Sequence, residues 1–130
     1  MAGALFMAAP GATWAQLRIT SIAELQDQGK TALGQAELEA LIEGNTLRHA
    51  RLEGTQKLDM WYSQGKRIFW SAAPGIGSRF EGPYRLAAGR RCEASTGGGE
   101  VCFTVVPMDD QQYYLCDKAG KCNWIFSVLK

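Results

Sequence analysis

Residues 57–70 read KLDMWYSQGKRIFW, two alternating runs on either side of a short polar turn. Leu58, Met60 and Tyr62 occupy every second position of the first run, so they share one face of an extended strand. Ser63-Gln64-Gly65 fits the tight turn that would reverse the chain. This pattern is typical of a β-hairpin and sets the class of the whole domain.

Short alternating runs separated by glycine turns continue from this hairpin to the end of the chain. The further strand patterns cover residues 66–72, 80–86, 101–106, 112–116 and 122–128, with a shorter run at 90–92. No helical pattern lies between them, which favours an antiparallel meander. The sequence therefore predicts a mainly β fold with a helical minority, a six- to seven-stranded antiparallel meander or small barrel.

Two short helical patterns precede the strands. Residues 21–24 fit a capping box, with Gly29 as the stop signal. Residues 35–43 then place Leu38, Leu41 and Ile42 on one face, ahead of a Gly44-Asn45 stop. A helix this short does not persist alone, so we expect it to pack against the sheet or across a barrel mouth.

The first 15 residues carry no charge and resemble the second half of a secretory signal peptide. An apolar run is followed by Pro10-Gly11 and then by small residues. We interpret residues 1–15 as a signal peptide remnant and residues 16–130 as one disulfide-stabilised domain, periplasmic or secreted, with no transmembrane segment in the mature chain. A buried N-terminal helix is the alternative interpretation of residues 1–15.

The four cysteines favour one disulfide framework. An even number in a small chain with an export-like leader indicates disulfides, and four cysteines allow three connectivities. Cys92 and Cys102 flank a glycine-rich turn, and Cys116 and Cys122 flank a second turn. Because opposed residues of a hairpin lie within disulfide reach, we predict Cys92–Cys102 and Cys116–Cys122.

Metal and cofactor sites are not predicted. Zinc is the alternative for the cysteines, but nine and five residues separate the members of the two pairs, more than structural zinc sites favour. The chain contains no C-x-x-C redox motif. Lys and Arg total 14 against 13 acids, so the charge balance predicts no nucleic-acid partner.

Catalytic residues are not predicted either. His49 is the only histidine, and we expect a strand residue that faces solvent or bonds to the backbone. Asp109-Asp110 is the only adjacent pair of acids in the sequence, and its position between Pro107 and two glutamines favours a polar hairpin turn. Residues 97–99 are three glycines without the lysine of a phosphate loop. The protein is therefore predicted not to be an enzyme.

Aromatic and arginine side chains are the remaining candidates for function. Alternation gives both faces of the 57–70 hairpin aromatic side chains, so either the sheet closes or one face binds something. The candidate binding residues are Trp61, Tyr62, Trp70, Arg67, Arg79, Tyr84 and Arg85, and Arg90 and Arg91 lie nearby.

Three functions stay open at this point. The first is a non-catalytic exported accessory or protein-interaction domain with an envelope protein as partner. The second is a small calycin-like barrel that binds an apolar ligand, and the third is a small carboxylate-based hydrolase. The sequence leaves the oligomeric state and the identity of any partner open.

Residues 36–46 resemble the opening of small exported proteobacterial domains of unknown function, in which a short helix ending in Gly-Asn-Thr leads into an antiparallel sheet. The later pattern is similar too, so the resemblance covers residues 33–128. The residues that form this later pattern are Tyr84, Cys92, Cys102-Phe103, Tyr114 and Gly120. The resemblance implies an envelope location and a small β fold, and it supplies no catalytic residues.

Overall fold

The computed structural model describes residues 19–54, 56–70, 79–95, 98–108 and 111–129. The strands are β1 (Thr20–Ser21), β2 (Thr46–Arg51), β3 (Lys57–Ser63), β4 (Lys66–Trp70), β5 (Arg79–Ala87), β6 (Arg90–Ala94), β7 (Glu100–Pro107), β8 (Gln112–Cys116) and β9 (Lys121–Leu129). The helices are α1 (Ile22–Asp27) and α2 (Gln35–Ile42).

The sheet closes on itself. Strands β2 to β9 follow one another as an antiparallel meander, and β9 pairs with both β8 and β2. The short strand β1 adds to the start of β9 through Thr20 and Cys122. The result is a closed eight-stranded barrel, which confirms the predicted mainly β fold and small barrel.

The barrel has more strands than the six or seven counted in the sequence. Thr46–Arg51 forms β2, although one of its two buried residues is His49 and the strand also contains the exposed Arg48 and Arg51. Arg90–Ala94 forms a full strand although three of its five residues are charged. Charged side chains weaken the alternating pattern on which the count depends.

Two-residue turns join the strands at one end of the barrel. Gln64 and Gly65 have φ values of 50° and 81°, and Ala88 and Gly89 have 56° and 73°. Paired positive φ values belong to the type I′ turn, whose twist matches the flanking strands. These turns connect β3 to β4 and β5 to β6.

Helix α2 lies across the barrel mouth at this end. Leu38 and Ile42 are fully buried in the same cluster as the inward-facing Leu47, Tyr84 and Val105. The amide of Asn45 donates to the Leu41 carbonyl over 2.8 Å, which satisfies the end of the helix. The predicted docking of a short helix across a barrel mouth is therefore confirmed.

Helix α1 packs on the outside of the barrel. Its N-cap is Ser21, whose hydroxyl accepts from the Glu24 amide over 3.1 Å, as the capping box predicted. Leu25 is buried against Val106 and the pair Cys116 and Cys122. This second, smaller core ties the N-terminal segment to β7, β8 and β9.

Both predicted disulfides are present. Cys92 pairs with Cys102 across β6 and β7, and Cys116 pairs with Cys122 across β8 and β9. The described residues contain no free cysteine. The predicted signal peptide remnant, residues 1–15, lies outside the described residues. In the part of the chain that the structure describes, neither helix is long and apolar enough to cross a membrane.

Candidate functional site: a charged barrel interior below an apolar mouth

The interior of the barrel is not purely apolar. Four charged or titratable polar side chains that face inward are at least nine-tenths buried, and they come from β2, β4 and β6: His49, Arg67, Arg91 and Glu93. Tyr62 on β3 joins them and is fully buried. The strand registers place these residues together, since Tyr62 is opposite Arg67 and Tyr84 is opposite Glu93.

Glu93 is the centre of this cluster. Its Oε2 accepts from Arg67 Nη1 over 2.6 Å and from Arg91 Nη2 over 3.3 Å. Its Oε1 accepts from Arg91 Nε over 2.8 Å and from the Tyr62 hydroxyl over 3.2 Å. Both carboxylate oxygens are thus shared by two partners each, which is the condition under which a buried carboxylate is tolerated.

Arg91 is almost fully enclosed by aromatic rings. Its guanidinium carbon lies 4.9 Å from the ring centre of Tyr62, 5.9 Å from that of Phe103 and 5.4 Å from that of Phe126. Cation–π attraction to three faces partly replaces the water that the cation has lost. The arginine is therefore a structural element of the core.

His49 bonds to Arg91 and is neutral. Arg91 Nη1 lies 2.9 Å from His49 Nε2, and arginine can only donate, so Nε2 accepts. The proton is then on Nδ1, which faces the Leu58 carbonyl at 3.4 Å. Burial and the charge of Arg91 lower the pKa of His49 to about 3, so the ring stays uncharged at neutral pH.

The expectation that His49 faces solvent is wrong, and the alternative of a backbone contact is the one observed. The two sequence neighbours Arg48 and Arg51 are exposed, so they do not set its protonation. Arg91 does so from across the barrel. His49 on β2 and Arg91 on β6 are far apart in the sequence, and only the closed barrel brings them together. Sequence neighbours alone therefore do not predict this contact.

The cluster carries more positive than negative charge. Burial by itself would raise the pKa of Glu93, but the charge and hydrogen bonds of Arg91 and the charge of Arg67 hold it below the ordinary value. One carboxylate thus faces two guanidinium groups, Arg67 and Arg91. Arg67 also donates from Nη2 to the Ala94 carbonyl, while its buried Nε has no acceptor among the described residues.

The barrel mouth opposite α2 is lined by apolar side chains. Met60, Phe69 and Phe80 are opposite one another in register on β3, β4 and β5, with Phe69 and Phe80 stacked at 5.1 Å between ring centres. Phe80 is 42% exposed and Val101 is 39% exposed, although both lie at inward-facing positions. Each is the second residue of its strand, which places it at the rim of the barrel.

Two surface depressions lie at the end covered by α2. The larger one, about 1020 Å³, runs between α2 and β8–β9, where it is lined by residues such as Leu41, Tyr113 and Leu129. The smaller one, about 300 Å³, contains Glu43, whose carboxylate accepts from the Tyr84 hydroxyl. Both depressions are accessible to solvent, in contrast to the enclosed cluster around Glu93.

The predicted binding residues do not form one surface. Tyr62, Arg67 and Tyr84 are buried inside the barrel. The others with described side chains, Trp61, Arg79 and Arg85, point outward. Trp70 belongs to β4, and its side chain is outside the description. Closure of the sheet explains why both faces of the 57–70 hairpin carry aromatic residues, one face in the core and one on the outside.

Arg79 and Arg85, two of the predicted binding residues on the outer surface, are paired with acids. Arg79 contacts Glu81 at 3.1 Å, and Arg85 contacts Glu100 at 2.7 Å with a second bond at 2.8 Å. The pairs are exposed, so they contribute solubility more than stability. The signal that separates Arg67 and Arg91 from them is their register opposite Tyr62 and Phe103, which alternation from the apolar neighbours could have found.

Groups with metal-binding or catalytic potential are few in the described part of the chain. One trio of possible ligands meets, Cys92, Glu100 and Cys102, but the two sulfurs are bonded to each other and are not thiolates. The acids of interest for hydrolysis, Asp109 and Asp110, lie outside the described residues.

Fold and site together define a small closed antiparallel β-barrel with a charged core and one apolar mouth. No protein-family model, curated protein or solved structure matches the chain.

Proposed function

We propose that this protein is an exported, non-catalytic binding protein, a calycin-like barrel that holds a small apolar ligand at the barrel mouth opposite α2. The observation that carries the proposal is the exposure of Phe80 and Val101 at inward-facing positions of the rim. Apolar groups that line a concave opening and remain in water are typical of ligand sites.

The depth of the site follows from how the barrel is filled. Tyr62, Arg91 and Phe126 are each no more than 1% exposed, and α2 covers the far end. Eight-stranded barrels have room for side chains or for one small ligand. In this barrel, side chains fill the part nearer α2. The proposed ligand therefore lies nearer the opposite mouth, against the row formed by Met60, Phe69 and Phe80.

Export is supported by the cysteines and by the N-terminal sequence. Two disulfides join adjacent strands, and disulfides persist in oxidising compartments such as the periplasm. The uncharged residues 1–15 fit a signal peptide. An envelope location is therefore part of the proposal.

A titration with the neutral apolar fluorophore N-phenyl-1-naphthylamine tests the ligand site. Saturable binding to the wild-type protein and at least tenfold weaker binding to Phe80→Ala are expected, because this substitution removes half of the stacked pair at the rim. The matched control is Trp61→Ala, since Trp61 is 40% exposed but on the outer surface. Absence of saturable binding, or an equal loss in both variants, would refute the proposal.

Protein interaction is the second candidate, and a row of residues on the outer surface favours it. Leu129, Thr46, Trp61 and Ile68 are consecutive partners across four strands on the outside of the barrel. Trp61 and Leu129 are exposed, and tryptophan is enriched in interface hot spots. The exposed Arg79 and Arg85 lie on the same outer side.

A comparison of two variants separates the candidates. In an affinity capture from envelope extract, an interaction through the outer row predicts that Trp61→Glu loses the partner while Phe80→Ala retains it. The ligand site predicts the reverse dependence for the fluorophore. The outer-row candidate is refuted if both variants retain the partner. It is also refuted if the wild-type protein captures no partner.

A further inference from the structure

We propose that the larger depression, between α2 and β8–β9, is a second binding site, and that it takes a neutral oligosaccharide. This site is separate from that of the proposed function, because it lies at the end covered by α2 and the apolar ligand is placed at the opposite mouth. The basis is a divided lining, with apolar side chains on one side and uncharged polar side chains on the other.

The depression has the size of a ligand site. Its volume of about 1020 Å³ is at the upper end of the roughly 300–1,000 Å³ that small-molecule sites occupy. It is accessible to solvent, so a ligand reaches it without a movement of α2. An open site of this kind suits a chain molecule that extends beyond it more than a compact ligand that must be enclosed.

One side of the depression is apolar and held in place by the core. Leu41 of α2, Val128 of β9 and the ring of Tyr113 are partly buried there and pack against the barrel core. The Tyr113 ring is stacked on Phe126 at 5.4 Å between ring centres, and Phe126 is 1% exposed. The exposed part of the Tyr113 ring therefore borders the depression in a fixed orientation, as a platform for the C–H face of a ligand.

The other side presents uncharged hydrogen-bonding groups. Gln112 and Ser127 are directly opposite each other on β8 and β9, so their side chains are neighbours on the outer face of the strands. Neither side chain has a hydrogen-bond partner among the described residues. Asn45, also in the lining, donates from Nδ2 to the Leu41 carbonyl over 2.8 Å, which orients the amide and leaves Oδ1 as an acceptor.

This division of the lining matches a sugar ring. A pyranose has C–H groups on its faces and hydroxyl groups around its edge, so the ligand packs a ring on Tyr113 and bonds through hydroxyls to Gln112 and Asn45. The described lining residues include no charged side chain, which disfavours an ionic ligand. A purely apolar ligand fits less well, because it would cover the polar side and leave its groups without partners.

Saturation-transfer NMR titrations with three neutral trisaccharides test the proposal: N,N′,N″-triacetylchitotriose, cellotriose and maltotriose. At least one of them is expected to bind the wild-type protein saturably. Gln112→Met is expected to weaken that binding about fivefold, the equivalent of one lost hydrogen bond. Tyr113→Leu is expected to weaken it at least as much, because the aromatic platform is lost. The matched control is Gln56→Met, an exposed glutamine outside the depression, which should bind as the wild-type protein does.

Other results overturn the proposal. Saturable binding of none of the three sugars overturns the sugar class, and tighter binding of the cationic, deacetylated chitotriose than of its acetylated form overturns the neutral class. Equal weakening by Gln112→Met and Gln56→Met overturns the placement. Displacement of N-phenyl-1-naphthylamine by the sugar assigns both ligands to one site and overturns the second site. If Tyr113→Leu does not fold, Ser127→Ala replaces it, and unchanged affinity in both Gln112→Met and Ser127→Ala overturns the placement.

Discussion

Arg91 and Glu93 are two residues apart on one strand, and their side chains form an ion pair of 2.8 Å inside the barrel. Alternation therefore directs both charges inward and leaves Cys92 between them on the other face, where it bonds to Cys102. Through Glu93 the pair also contacts Arg67 on β4 and Tyr62 on β3. One carboxylate thus connects three strands of the barrel wall.

Glu93→Gln is expected to destabilise the fold strongly. The substitution keeps the shape but leaves Arg67 and Arg91 without a buried counter-charge, a loss of about 3–5 kcal/mol for a broken buried pair. Urea unfolding followed by tryptophan fluorescence measures it, as a lower midpoint at an unchanged slope.

The matched control is Glu100→Gln. Glu100 also forms two hydrogen bonds with one arginine, Arg85, but on the exposed surface. Solvent screening makes such a pair nearly neutral for stability, so its midpoint should stay close to that of the wild-type protein. Equal shifts in the two variants would contradict a structural role for the buried cluster.

Stability is expected to fall when the pH drops from 7 to 5, because of His49. Its pKa is about 3 in the folded protein and 6.5 when unperturbed, so at pH 5 only the unfolded chain takes up the proton. Linkage then gives a loss of about 2 kcal/mol over this interval. The pKa of Glu93 is held below its ordinary value of 4.5, so its contribution to stability is fully present above pH 4.5. This contribution is lost only as the pH falls further.

His49→Gln isolates this effect, because glutamine accepts a hydrogen bond from Arg91 but does not titrate. The variant is expected to be less stable overall, yet its free energy of unfolding should be nearly flat between pH 7 and 5. Equilibrium unfolding at both pH values gives the comparison. A slope as steep as that of the wild-type protein would assign the pH dependence to another group.

Hairpins and disulfides could be predicted from the sequence because they depend on neighbours in the chain. The turn at Gln64-Gly65 and the pairing of Cys116 with Cys122 follow from residues fewer than ten positions apart. The helix predicted over residues 35–43 also follows from local periodicity, and its apolar face indicated that it packs against the sheet or across a barrel mouth, of which the structure shows the second.

The charged core could not be predicted in the same way. Alternation alone could show that Arg91 and Glu93 share one face of β6, but it could not show that this face lies inside a closed barrel. Their compensation comes from His49 and Arg67, at distances of 42 and 26 residues along the chain. Only closure of the sheet, which joins β9 to β2, brings these side chains together.

The turn between β5 and β6 offers a stabilising substitution. Ala88 has a φ of 56°, a left-handed conformation that costs an alanine about 1 kcal/mol. Ala88→Asn is expected to stabilise the protein by about 0.5–1 kcal/mol, because Asn-Gly is a preferred type I′ sequence. Thermal unfolding measures the gain.

Gly89→Ala is the opposing control at the next position. The φ of Gly89 is 73°, and a new Cβ would lie 3.7 Å from the Leu33 carbonyl oxygen, an ordinary contact. The expected loss of about 1 kcal/mol therefore arises from the backbone conformation alone. Stabilisation by this substitution, or destabilisation by Ala88→Asn, would show that the turn is not type I′ in solution.

The two disulfides are expected to contribute in the opposite order to their loop lengths. Cys92–Cys102 closes the longer loop, with a separation of 10 against 6, so chain entropy alone favours it by less than about 0.5 kcal/mol. Cys116 and Cys122, however, are both fully buried against Leu25 of α1. Replacing both Cys116 and Cys122 by alanine also removes packed sulfur atoms. We expect this double variant to lose about 1 kcal/mol more free energy of unfolding than the double alanine variant at 92 and 102.

Urea unfolding of the two double variants measures the difference. A larger loss for the 92 and 102 pair would show that α1 contributes little through this contact.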